Sequence, residues 1–381
     1  MRRRKWLVLL DKVFVWNDPS LIWNMTADFI GRWILTNEGL EEGCLVLAGD
    51  EVVDVRMGRA PLESTKSLIV PCFVNAHTHL GDAFAYPSPK GTVEEIVGPP
   101  DGYKHRRLRE ADRDIKVRAM RESARLMLST GSSVFADFRE EGVEGVGMIL
   151  EAMTGSLLNP IILSRPLNID AGDVELREML SRCDGFGMSS IRDIPYDLLE
   201  RASRLARASG KIFALHSSET VRDDIDRVLD LKPRFLIHMT SALESDLVRC
   251  SEARVPIVVC PRSNEFFDMD PRIPILLRHG VEVALGTDNA MIAPPDMLFE
   301  LQAAYRLSRR RGGISPELAI RLATYSGRKV LNAESITTEI SYDDDLAVID
   351  VTGDEPLTEV ATAAGSATIS AISLGGRLRR P

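Results

Sequence analysis

The run Leu68–Asp82, L-I-V-P-C-F-V-N-A-H-T-H-L-G-D, constrains this chain more than any other stretch. Its apolar residues, Leu68–Val70 and Cys72–Val74, read as one buried strand, with Pro71 inside it and Gly81 beyond its end. Two histidines one residue apart, His77 and His79, close the run. Side chains alternate faces along an extended backbone, so both imidazoles point the same way. Two imidazoles aimed at one point from the end of a buried strand suit metal ligation. Alone, H-x-H describes a pair of hydrogen-bonded core residues equally well, so the other polar residues have to arbitrate.

Length and charge narrow the field. A chain of 381 residues accommodates one large domain, or a large domain with a smaller companion. The formal net charge of −9 argues against a nucleic-acid partner held through phosphates. Its two basic runs, Arg2–Lys5 and Arg309–Arg311, read as solvated. Five cysteines, an odd number without close pairing, fit a reducing, cytoplasmic compartment better than a disulfide framework. Near the N-terminus the apolar W-L-V-L-L is broken at once by Asp11 and Lys12, with no small-residue cleavage site after it. No segment approaches the roughly 18 uninterrupted apolar residues of a membrane helix. Residues 1–24 therefore read as an extension, or as translated upstream sequence with Met25 the start, rather than as a membrane anchor.

From Asp28 to Val70, short β-like runs alternate with turn residues: Phe29–Thr36, Cys44–Ala48 and Val52–Val55. The Gly-, Pro- and charge-rich stretch 81–109 is long for a loop and reads as a lid or binding loop. Beyond it helices and strands alternate. Strands beginning at Ile69, Ser133, Pro160, Gly185, Ile212, Phe235, Ile257 and Val281 make eight, which suits an α/β fold of the (β/α)8 TIM-barrel type. A doubly wound sheet shows the same alternation; the polar residues decide, because they fall at the C-terminal strand ends where barrel sites are built. A late helix opens with Ser315 as N-cap and Pro316 at its first position. After Leu331 come further β-like runs, Leu346–Val351, Glu359–Ala363 and Ala367–Leu374. These complete a small β-sandwich from both chain ends. The expected organisation is thus 25–70 with 335–381 as the composite sandwich and 71–334 as the barrel.

Only six histidines occur, and His77, His79, His216 and His238 fall at the ends of expected strands one, five and six. Strand eight delivers Asp288 in A-L-G-T-D-N. Three imidazoles and a carboxylate converging on a barrel mouth suit one Zn2+ or Fe2+. His279, before a glycine, reads as a helix-end residue, and His105 as part of the long loop.

These motifs resemble the amidohydrolase superfamily, in its branch of cytosine-deaminase-like, guanine-deaminase-like and chlorohydrolase-like enzymes. The carrying residues are V-N-A-H-T-H-L (74–80), L-H-S-S-E-T (215–220), I-H-M-T (237–240), V-C-P-R-S-N (259–264) and A-L-G-T-D-N (284–289). The helix 319–331 and the run D-D-D-L-A-V-I-D (343–350) belong with them, so the resemblance covers the chain from about residue 28 onward. It implies that His77, His79, His216 and Asp288 bind one divalent metal. It also implies that His238 hydrogen-bonds the metal-bound water or the tetrahedral intermediate, and that Glu219, in H-x-x-E from His216, shuttles protons. A divalent metal lowers the pKa of a bound water towards about 7, which supplies hydroxide for attack at the carbon bearing the exocyclic amine. Glu219 would protonate a ring nitrogen, and collapse of the adduct would release ammonia.

Departures limit what the resemblance carries. The expected fourth strand, G-F-G-M-S-S, lacks the bridging lysine of binuclear relatives, which implies a mononuclear site. The segment L-G-D-A-F-A-Y-P after His79 does not match a known nucleobase or nucleoside motif. Asp82, Asp137, Arg139, Arg165, Arg262 and Asn264 lie near strand ends as candidate substrate contacts, each equally a cap or an ion-pair residue. The expected activity is deamination of an aminated heterocycle such as a nucleobase, nucleoside or pterin. The rivals are ring opening of a cyclic amide or imidazolone, and a non-catalytic relative. A homodimer would match the habit of the family.

Overall fold

The fold was analysed in a computed structural model that describes residues 28–333, 340–362 and 367–380. The expected extension 1–24 lies outside the described residues. A parallel sheet forms the larger part. Its strands are β1 (Phe73–His79), β2 (Ser132–Arg139), β3 (Asn159–Ser164), β4 (Gly185–Met188), β5 (Ile212–Ser217), β6 (Phe235–His238), β7 (Ile257–Val259), β8 (Val283–Leu285) and β9 (Asp288–Asn289). Each pairs with the next from β1 to β8, and β9 pairs with β1. Only Gly286 and Thr287 separate β8 from β9, so the two outer strands of the sheet are consecutive in the chain and the sheet returns upon itself.

Side-chain bonds reinforce that return. Asn75 Nδ2 donates to Thr287 Oγ1 at 2.7 Å, and the Thr287 amide donates to Asn75 Oδ1 at 3.0 Å. A Cβ on Gly286 would stand 2.7 Å from the His77 backbone oxygen, so only glycine lets the two segments come this close. Helices lie between the strands: Tyr196–Ala208 and Met297–Ser308 bury apolar faces in the main core, and Arg113–Ser129 in a second cluster with Phe135, Val146 and Ile162. Among the described residues, no helix is long and apolar enough to cross a membrane.

The second sheet corrects two expectations. Leu68 to Val74 is not one strand. Ser67–Pro71 pairs antiparallel with Leu346–Asp350 in an eight-stranded sheet, whereas Phe73–His79 enters the parallel one. The chain changes sheets at Cys72, beside Pro71, which has no N–H to continue a ladder. The composite domain of both chain ends is a single sheet rather than two facing ones. Leu40–Ala48 pairs with Glu51–Met57, which pairs through Glu51 with Arg377, so this sheet also joins its own edges. A third correction concerns Glu359–Ala363: residues Pro356–Thr362 form a helix, not a strand. Pro356 sits at its first position, and the Glu359 carboxylate accepts the Thr352 and Gly353 amides at 2.7 Å each, which local β-propensity does not report.

Candidate functional site

Four of the strands bring polar groups to a common point. His77 and His79 close β1, His216 lies near the end of β5, His238 ends β6 and Asp288 begins β9. One ligand atom from each of His77, His79, His216 and Asp288 lies within 4.8 Å of all the others. His77 Nε2 is 3.3 Å from Asp288 Oδ1, and His79 Nε2 is 3.7 Å from it. Two left-handed residues help to aim the groups, Asp288 at φ +61° and His238 at φ +75°. Backbone strain of this kind in a non-glycine residue is held where the surroundings enforce it.

Contacts behind two of the imidazoles, His79 and His216, assign their tautomers. His79 Nδ1 faces the Phe138 carbonyl at 3.0 Å and Glu140 Oε1 at 2.8 Å; His216 Nδ1 faces the Met188 carbonyl at 2.9 Å. All three partners are acceptors, so Nδ1 carries the proton and Nε2 is left as a lone pair. Burial pushes His77, His79 and His216 below the ordinary histidine range, His79 to about 3, which keeps them neutral. Burial opposes the charge on Asp288, yet the His77 hydrogen bond holds its carboxyl well below the usual range. Lone pairs and a carboxylate brought this close need a cation between them. Tetrahedral bonds of about 2.0–2.1 Å place ligand atoms about 3.4 Å apart, which the observed separations approach. The residues present therefore fit a divalent metal.

Other groups orient this set. Ser263 Oγ donates to Asp288 Oδ2 at 2.6 Å, Asn289 Nδ2 to Asp288 Oδ1 at 2.9 Å, and Thr78 Oγ1 to the Asp288 carbonyl at 3.0 Å. Cys260 also lies near His238 and Asp288, but burial raises its thiol well above the ordinary value and keeps it protonated. His238 Nε2 stands 3.6 Å from Glu219 Oε1 and 4.0 Å from Asp288 Oδ2. The Glu219 backbone is pinned by Thr240 and Ser241, whose hydroxyls donate to its carbonyl. Burial raises the Glu219 carboxyl, so it retains its proton to higher pH than a free glutamate.

A cavity of about 340 Å³ opens over this cluster. His79, His216, His238, Glu219 and Asp288 reach its wall, together with Lys104, Arg165 and Ser189. The expected loop 81–109 supplies part of its cover: Val93, Glu94, Val97, Gly98 and Pro99 line it, from the helix Val93–Ile96 and the turn after it. Within the same segment, His105 is turned back onto the Val97 carbonyl at 3.1 Å.

Five of the six expected substrate contacts do not line this cavity. Arg139 is fully buried beneath Gly81, with Nη2 on Glu140 Oε2 at 2.6 Å. Asp137 accepts the Leu80 amide at 2.7 Å, and Asp82 accepts the Met291 amide at 2.9 Å. Arg262 is spent on Glu300, with Nε 2.6 Å from Oε2, and on the Pro294 carbonyl. Asn264 is fully buried in the helix Pro261–Phe266 that follows β7. Of the six, Arg165 alone lines the cavity. Sequence reasoning missed Lys104, Glu140 and Ser263. Ser263 and Asn289 stood inside quoted motifs; Lys104 and Glu140 had no local signal, since only the folded chain brings them to His79.

A family model described as the amidohydrolase family matches residues 68–379. A provisionally named aminohydrolase of Methanothermobacter thermautotrophicus is 30% identical over 360 residues, covering 88% of this chain and 93% of its own. A 5-methylthioadenosine/S-adenosylhomocysteine deaminase of Pyrococcus abyssi is 25% identical over 387 residues, covering 88% of both. Among solved structures, an adenosine deaminase from Xanthomonas campestris with bound zinc superposes with a TM-score of 0.75 at 18% identity, covering 92% of each chain.

Proposed function

This chain belongs to the amidohydrolase family and is a metal-dependent hydrolase of carbon–nitrogen bonds, and from that premise we propose that it deaminates an aminated heterocycle of nucleobase, nucleoside or pterin type. We read the returning parallel sheet as a (β/α)8 barrel over 71–334, with 25–70 and 335–381 as the companion domain. The observation that carries the reading is the convergence of three neutral imidazoles and Asp288 on the floor of a cavity that Glu219 also faces.

The division of labour follows from the geometry. His77, His79 and His216 through Nε2, with Asp288 through its carboxylate, would hold one Zn2+ or Fe2+. When bound, that ion supplies Lewis-acid activation of a water at neutral pH. Asp288 accepts the proton of the attacking water, as its carboxylate stays ionised. Glu219, whose proton persists because it is buried, gives it to a ring nitrogen of the substrate, making the amine-bearing carbon electrophilic. His238 lies between the two carboxylates and donates to the incoming oxygen. Asp288 then returns its proton to the exocyclic nitrogen and the hydroxyl proton of the adduct passes to Glu219, so the carbon–nitrogen bond breaks and ammonia leaves as the ring carbonyl forms. The side chains of Asp82, Arg139, Arg262 and Asn264 take no part in this scheme.

Supporting details fit one ion rather than two: β4 is followed by Ser189 and Ser190 rather than by a lysine. A cavity near 340 Å³ is of the size used for small molecules. The five unpaired, buried thiols favour a reducing, cytoplasmic setting, and a homodimer is our working expectation. The test is ammonia release by the Zn2+- or Fe2+-loaded protein across adenine, guanine, cytosine and pterin compounds. Release that a chelator abolishes carries the proposal. Silence across the panel, with one metal bound per chain, overturns deamination in favour of ring opening.

A further inference from the structure

Lys104 belongs to the helix Tyr103–Glu110, far from the metal-binding strands in sequence, yet it is only 3% exposed and reaches the cavity wall. Its Nζ donates to Asn289 Oδ1 at 2.9 Å and stands 2.5 Å from Glu140 Oε1. Each partner leads to a different side chain of the cluster. Glu140 Oε1 is 2.8 Å from His79 Nδ1. Asn289 Nδ2 donates to Asp288 Oδ1 at 2.9 Å. The far ends of these two arms, His79 Nε2 and Asp288 Oδ1, are 3.7 Å apart. One ammonium thus closes a circuit running from Asp288 through Asn289, Lys104 and Glu140 to His79.

We propose that Lys104 is a positioning residue that sets His79 and Asp288 against each other across the β1–β9 seam, and so governs how firmly the metal is held. The proposal rests on the reading of those two side chains as metal ligands. The chemistry of each link requires a cationic donor at this place. An amide can turn either end towards a carboxylate; Asn289 presents its nitrogen to Asp288 because its oxygen is held by Lys104, which only donates. Glu140 is buried, with Arg139 on its other oxygen at 2.6 Å. Lys104 Nζ and His79 Nδ1 converge on the remaining Glu140 oxygen, at 2.5 and 2.8 Å, so the ammonium fixes where that carboxylate stands behind His79, and a carboxylate behind Nδ1 makes the opposite Nε2 the stronger ligand. Lys104 also continues the segment whose residues Val93 to Pro99 cover the cavity, so the cover and the metal ligands share an anchor.

The test is zinc release from the full-length, zinc-loaded chain into excess colorimetric chelator, for wild type, Lys104→Met, Asn289→Ala and the double variant. Partners behind metal ligands are worth roughly 10–100-fold in metal affinity, so each single variant should lose zinc about that much faster. The double variant should be no faster than the quicker single, because both substitutions cut one circuit. Lys104→Met releasing zinc at the wild-type rate, or effects that multiply independently in the double variant, would overturn the proposal. Should Lys104→Met fail to fold, Lys104→Gln, a neutral donor, takes its place, with accelerated release expected and wild-type release decisive against. A wild type that binds no divalent metal overturns the metal-centre reading along with this one; a wild type that binds metal, matched by the variants, overturns only the role of Lys104.

Discussion

The division between a carboxyl that keeps its proton and one that gives it up is set residue by residue through burial and hydrogen bonding. Glu219 lies against His238 with burial raising its carboxyl, while Asp288, which accepts hydrogen bonds from Ser263 and Asn289, is held well below the usual carboxylate range. Glu219→Gln keeps the shape and removes the proton. It should leave metal content unchanged and cut turnover by roughly 10²-fold or more; full activity would sink the shuttle role. Asp288→Ala should lose activity and metal together, read by elemental analysis of the purified variant. Asp82 offers a pH test. Burial pushes its carboxyl up to about 7, so the folded chain keeps a proton there that the unfolded chain has already released. Stability from this group is full at acid pH and is lost as pH rises from about 4 towards about 7. In metal-free protein, Asp82→Asn should flatten that decline in thermal midpoint, and parallel wild-type and variant curves would contradict it.

At the scale of elements, the seam where β9 meets β1 carries most of the arrangement. It is short, two residues on the β9 side, and depends on Asn75 reaching both the hydroxyl and the amide of Thr287. Asn75→Ala leaves those buried groups without partners, at a cost of about 1–3 kcal/mol per group. The denaturation midpoint should fall accordingly, and zinc retention with it, because His77 and Asp288 sit on the two sides of the seam. An unchanged midpoint would mean that the ladder alone closes the sheet. The alternation of helices and strands was legible because period and turn residues are local signals. The split of Leu68–Val74 between two sheets was not, because both halves are uniformly apolar and each is buried whichever sheet it joins.

For the whole molecule, a metal that binds the folded chain and not the unfolded one adds stability by mass action. At a thousandfold excess over its dissociation constant that is about 4 kcal/mol. Removing the metal with a chelator should therefore lower the thermal midpoint, and Zn2+ or Fe2+ should restore it at one ion per chain. A midpoint indifferent to chelator would remove the metal from the folding equilibrium. The His-to-Ala change at His216 should abolish the difference.

The sequence by itself determined which strands end in imidazoles and which in a carboxylate, since H-x-H spacing and strand-end placement are properties of the local backbone. It also determined the family, because the order of V-N-A-H-T-H-L, L-H-S-S-E-T and A-L-G-T-D-N along the chain survives without coordinates. Only the tertiary structure decided what stands behind those ligands. Lys104 and Asn289 are 185 positions apart, and the helix and strand that bear them meet solely because the parallel sheet returns upon itself. The folded chain also committed Arg139 and Arg262 to Glu140 and Glu300: a charged side chain near a strand end is drawn to the nearest buried partner, and that choice is made in space rather than along the chain.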